Sequence, residues 1–133
     1  MLGTNKLVVH YADGRVFKGT AADFRPNKDK FHLRSQADSK YMKEVFLKDL
    51  KAVFFVKDFE GDSSYEPRKS FERVQAPGKK LKVKFRDGEV LVGTTQAYHP
   101  NRVGFFLIPV DPDENTIRAF VINGFVESVE QVS

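Results

Sequence analysis

A stretch of 28 residues that occurs twice constrains this chain more than any other feature. Lys6 to Leu33 reads KLVVHYADGRVFKGTAADFRPNKDKFHL, and Lys80 to Leu107, 74 positions later, reads KLKVKFRDGEVLVGTTQAYHPNRVGFFL. Without a gap the two copies share a Lys-Leu start, Asp-Gly, Gly-Thr, Pro-Asn, a Phe and a Leu. Self-similarity at a fixed spacing decides architecture before any local propensity does, because each copy must be the same supersecondary unit.

That unit reads as strands. Leu7, Val9 and Tyr11 alternate with Lys6, Val8 and His10, the period of a strand with one face buried. Asp13-Gly14 breaks the alternation with a strong hairpin signal. The next strand, Arg15 to Phe24, carries Gly19 in its interior, where glycine marks a bulge or bend that can pass a strand between two sheets. Arg25 to Lys30 is a polar turn around Pro26-Asn27. Short strands follow at Phe31–Arg34, Glu44–Leu47 and Lys51–Val56. The nearly continuous run Ala52–Val56 calls for burial on both faces, with the second half as its cover. The second half repeats the plan: Asp87-Gly88, a bend at Gly93, a turn at His99–Arg102, and strands at Phe105–Val110, Ile117–Ile122 and Phe125–Val132.

Five short strands in about fifty residues, with tight turns and no intervening helix, describe a small antiparallel barrel. The expected fold is therefore all-β: two tandem five-stranded barrels over residues 1–58 and 80–133. Residues 59–79 form a linker, with a short helix from Pro67 to about Val74. Asp-Gly in the first hairpin, a Gly five residues later and a turn Asn beyond it resemble the Sm-like (SH3-type) barrel. The chain as a whole resembles uncharacterised bacterial proteins with tandem units of this kind. In Sm proteins an Asp and an Asn after the second strand form part of a uridine pocket. The nearest positions here are Asp23 with Asn27, offset relative to Gly19, and Ala97 with Asn101, where the Asp is missing.

Composition narrows the class. Thirteen Phe and no Trp accompany 41% apolar and 30% charged residues, a globular mixture whose aromatic rings suit burial between two units each marginal alone. Without cysteine, disulfide frameworks and thiolate metal sites are excluded. No apolar run approaches the roughly 20 residues of a membrane helix, so no membrane partner and a cytoplasmic location are expected. Of the net +4, residues 6–58 carry twelve Lys/Arg against seven Asp/Glu, whereas residues 79–133 carry seven of each. The basic first half fits a polyanionic partner, with a solvated lysine face as the commoner explanation of such asymmetry.

No catalytic constellation emerges. GRVFKGT and GEVLVGT lack the Lys and following helix that a phosphate loop needs. His10, His32 and His99 lie far apart without carboxylates at ligand spacing, so neither a metal nor a cofactor is expected. A cyclic-dinucleotide signature is absent. The repeated turns present the candidate binding surface: Arg25, Asn27 and Lys28 in one copy, His99, Asn101 and Arg102 in the other, behind Phe24 and Tyr98. Cations beside aromatics suit single-stranded nucleic acid, with core packing as the alternative for the two rings. The row Lys80, Lys82, Lys84 and Arg86 reads either as a phosphate track or as protection of an edge strand. The expected function is a non-catalytic binding or assembly module. Its partner is a protein or a second copy added at a barrel edge, or single-stranded RNA bound through the basic half and the Pro-Asn turns.

Overall fold

The computed structural model of the chain describes residues 5–61, 64 and 78–132. The first half contains β1 (Asn5–Tyr11), β2 (Val16–Ala21), β3 (Lys30–Ser35), β4 (Met42–Phe46) and β5 (Leu50–Val56). The second contains β6 (Lys79–Phe85), β7 (Val90–Thr95), β8 (Gly104–Pro109), β9 (Thr116–Ile122) and β10 (Val126–Val132). Among the described residues the only helical elements are single 3-10 turns, Leu47–Asp49 and Asn123–Phe125. The expected helix at residues 67–74 falls outside the described residues. No described helix is long and apolar enough to cross a membrane.

All ten strands hydrogen-bond into one open antiparallel sheet, in the order β10-β6-β7-β8-β9-β5-β1-β2-β3-β4. The halves therefore follow the same internal order and meet where β5 pairs with β9. Leu7 lies opposite Gly19 and Thr20 opposite Arg34, while Leu81 lies opposite Gly93 and Thr94 opposite Ile108. Every one of these partners is displaced by 74. Beyond the third strand the displacement becomes 76: Phe31 faces Val45 and Val9 faces Val53, against Phe105 with Val121 and Val83 with Val129. The β8–β9 hairpin holds two more residues between facing positions than the β3–β4 hairpin, which a gapless sequence comparison cannot follow.

The hairpin glycines take the left-handed conformation that the turn demands, at φ 98° for Gly14 and 93° for Gly88. Gly19 and Gly93 serve a different purpose. A Cβ on either would meet a facing carbonyl oxygen, that of Arg34 at 2.2 Å or Ile108 at 2.3 Å. Their absent side chains let β3 and β8 close onto the preceding strand. The strand expected to run from Arg15 to Phe24 ends at Ala21, and β2 pairs with β3 only at Gly19 and Thr20.

Burial ties the halves together through shared strands. Every residue of β5 is buried. Val53 and Phe55 enter a core with Leu7, Val9, Phe31, Leu33 and Val45, while Ala52, Phe54 and Val56 enter another with Leu81, Val83, Phe85 and Leu107. β9 divides likewise, sending Phe120 and Ile122 to the first core and Ala119 and Val121 to the second. Two facing strands thus each belong to both cores, as the run Ala52–Val56 requires. β1 departs from the one-faced reading, because Val8 packs on the second core and His10 sits edge-on to Phe54, with centroids 4.8 Å apart. Lys51 crosses the junction from β5 to Asp87 at 2.7 Å and to Glu89, with its ammonium over the Phe85 ring.

The row from Lys80 to Arg86 is not an edge. β6 is paired on both sides, by β7 and by β10, because the last strand folds back across the first strand of its half. Lys82 faces Glu130 in that ladder, and Lys84 bonds Glu127 at 3.3 Å.

Candidate functional site

The two Pro-Asn turns are built alike. Lys28 N–H donates to Arg25 C=O and Arg102 N–H to His99 C=O, each at 3.2 Å. The second turn is further held by Asn123, whose side-chain amide donates to both the His99 and Arg102 carbonyls at 2.9 Å.

Because β9 bonds to β5, the outer face of β7, β8 and β9 lies beside the first half, and both turns open onto one cleft of about 900 Å³. Pro26, Asn27, Lys28 and Asp29 form one wall, His99 and Arg102 another, and Thr94, Phe106, Ile108 and Arg118 contribute from the strands. Of the six sequence-predicted residues, Asn27, Lys28, His99 and Arg102 are thus brought together. Arg25 and Asn101 are exposed and do not line the cleft.

Phe24 and Tyr98 are packing residues. Phe24 makes edge-on contacts with Phe31, Phe55, Phe106 and Phe120 at centroid separations of 5.2–6.2 Å. Tyr98 does the same to Phe105 at 4.9 Å. Neither offers the free ring face that a stacked base requires. Asp23 is also committed elsewhere: its carboxylate accepts the His32 backbone N–H at 3.0 Å and contacts Nδ1 of His32 at 2.8 Å. Burial pushes this carboxyl upward, and the His32 hydrogen bonds outweigh it, leaving Asp23 below the usual aspartate value. The Asp-Asn pair implied by the Sm resemblance is therefore not assembled at Asp23 and Asn27.

Arg118 is a cleft-lining residue that turn motifs miss. It is half-buried, with its guanidinium 4.3 Å from the Phe55 centroid and 4.4 Å from that of Phe106. Burial lowers its pKa below the usual arginine value, yet a guanidinium remains charged at neutral pH. Among the described residues no carboxylate pairs with it. Its sequence signal is being the lone charge in Ile117–Ile122. Thr94 is the second such residue: it is 1% exposed, and its hydroxyl has no hydrogen-bond partner among the described residues. The neighbouring Thr95 is satisfied, donating to Phe106 C=O at 2.7 Å.

Among the described residues the cleft therefore carries Lys28, Arg102 and Arg118 against the single carboxylate of Asp29, an arrangement suited to holding an anion. Among the described residues no cluster of three or more His, Cys, Asp or Glu could hold a metal ion. A family of unknown function (DUF6982) matches the chain over residues 3–133. No curated protein and no solved structure matches it.

Proposed function

The chain belongs to the DUF6982 family of unknown function, and from that premise we propose a non-catalytic binding module, two Sm-like barrels in tandem whose shared cleft holds single-stranded nucleic acid. Support for the tandem comes from the common strand order of the halves and from partners displaced by 74 and then 76 residues. The observation that carries the binding role is convergence, since the two repeated turns line one cleft in which, among the described residues, cations outnumber carboxylates. With Phe24 and Tyr98 packed inside, phosphate contacts supply the affinity and base identity contributes little. Each phosphate neutralised on a single strand adds roughly −0.7 to the slope of log K against log salt, so Lys28, Arg102 and Arg118 together give about −2. Fluorescence anisotropy with labelled single-stranded RNA and DNA between low and physiological salt measures that slope. Lys28→Glu should weaken binding about tenfold at low salt. Absence of binding at the lowest salt refutes the reading, because electrostatic attraction is least screened there.

Self-association is a second reading with its own observation. Inside the chain, the fifth strand of one half pairs with the fourth strand of the other. The outermost strands of the sheet, β10 and β4, are a fifth and a fourth strand. The β5–β9 register, carried over to those edges, sets Glu130 opposite Lys43 and Ser128 opposite Val45 of the next copy. The same charges on short outer strands also deter unwanted pairing. Light scattering at high concentration decides: growth in mass that Glu130→Lys reverses supports head-to-tail addition, and a constant monomer excludes it.

A further inference from the structure

We infer that the inner part of the cleft is a subsite for a terminal phosphate of the bound strand, gripped by Arg118 and the Thr94 hydroxyl across Ile108. The inference rests on the nucleic-acid reading above and names the group that this part of the cleft takes.

Three observations converge on it. The first is placement. Thr94 faces Ile108 in the β7–β8 ladder, and the β8–β9 ladder, which pairs Leu107 with Ala119, sets Ile108 opposite Arg118 at its next step. Residues opposed across antiparallel strands lie on the same face. Neighbouring strands are about 4.8 Å apart, so Thr94 and Arg118 flank Ile108 with backbones roughly 10 Å apart. All three line the cleft. An anion resting over Ile108 is within reach of both side chains.

The second is the unsatisfied hydroxyl. A buried hydroxyl without a partner is costly, and its presence asks what supplies the missing bond. Thr94 Oγ1 can donate to an anionic oxygen without any rearrangement of the β7–β8 ladder. The third is the state of Arg118. Its guanidinium rests against the rings of Phe55 and Phe106, an arrangement that leaves in-plane N–H groups for a ligand. No described carboxylate competes for them.

The geometry favours a chain end over an internal linkage. A terminal phosphate presents three free oxygens and a charge of about −1.5 to −2 at neutral pH. An internal phosphodiester has two free oxygens, a single charge and a sugar on either side, which hold it away from a floor as enclosed as Thr94. Arg102 and Lys28, on the turns, are left to meet the following phosphates.

The test uses the full chain and short single-stranded oligomers in three forms: 5′-phosphorylated, 3′-phosphorylated and hydroxyl-ended. Affinities are read by anisotropy at low salt, alongside thermal unfolding of each variant. One phosphorylated form should bind at least about tenfold tighter than the hydroxyl-ended form. Thr94→Val should bring that ratio to about one while leaving the melting temperature unchanged or higher, since it removes a buried hydroxyl that lacks a partner. Arg118→Gln, a second variant that keeps most of the side-chain stem, should also collapse the ratio. Equal affinity for all three oligomers, with salt dependence intact, overturns the subsite and leaves the nucleic-acid reading standing. A preference that survives Thr94→Val overturns it as well. Failure of every oligomer to bind overturns both readings together.

Discussion

The junction lysine offers a sharp test of how the halves are held together. Lys51 on β5 is 8% exposed, whereas its partners Asp87 and Glu89, at the β6–β7 turn, are 44% and 47% exposed. This asymmetry predicts that the two sides of one ion-pair cluster are unequal in energy. Lys51→Met removes the charge but keeps an aliphatic stem over Phe85. The stranded carboxylates simply rehydrate, so the loss should be no more than about 1 kcal/mol, the range of exposed pairs. The double variant Asp87→Asn, Glu89→Gln leaves a buried ammonium with no counter-charge. His10 nearby gives it no relief, because burial first, and Lys51 itself second, hold that imidazole below its usual 6.5. Breaking a buried pair from this side costs about 3 kcal/mol, or roughly 10 °C in melting temperature for a domain of this size. The triple variant should return to within about 1 kcal/mol of the original, since no charge then remains to be stranded. Urea unfolding of the four proteins measures the cycle. If Lys51→Met costs more than the double carboxylate variant, burial asymmetry is not what governs this cluster.

The same cluster sets a pH dependence, checked by the urea midpoint against pH. The Lys51 hydrogen bond holds the Asp87 carboxyl below 3.8, so its stabilisation is complete above that value and fades as pH falls through the folded one. At Lys51 burial lowers the pKa, but the bonds to Asp87 and Glu89 prevail and raise it above 10.5, so that contribution is lost only as pH climbs beyond this value. Gly93→Ala should cost about 2–4 kcal/mol or prevent folding, because its Cβ would meet Ile108 O at 2.3 Å. Gly124→Ala, with nothing within 4 Å of the added atom, should stay within about 0.5 kcal/mol by the same assay. Phe24→Ala removes a ring touching Phe55, Phe106 and Phe120 from both halves and should cost about 3–5 kcal/mol. It should leave a single unfolding transition, since the cores share β5 and β9. Two separated transitions by circular dichroism would contradict the shared-core account.

Local structure was legible in the residues. Alternation at Leu7, Val9 and Tyr11 and the Asp-Gly hairpins follow from short-range sterics, which neighbouring residues settle among themselves. Gly19 and Gly93, expected as bends, instead lie in unbroken strands and are required by the facing carbonyls of Arg34 and Ile108. The double-sided burial of Ala52–Val56 was legible too, as a run without polar relief. Assigning Lys80 to Lys84 as an edge failed because edge or centre depends on β10, which arrives more than forty residues later. Four of the six turn residues reached the cleft. Arg118 and Thr94 went unnoticed, because a lone charge in an apolar strand and a threonine after a glycine acquire meaning only from what they face.

What the amino-acid order determined by itself is the pair of like units: five short strands each, their turns, and a central strand that must be covered on both sides. The tertiary structure alone decided that the cover is β9, that ten strands form one sheet, and that two turns 74 residues apart open onto the same cleft. The division has a physical cause. Turn geometry and periodicity are enforced within a few residues, whereas the partner of β5 is selected by burial of Phe120, Val121 and their neighbours across a separation of more than sixty residues, which no local pattern encodes.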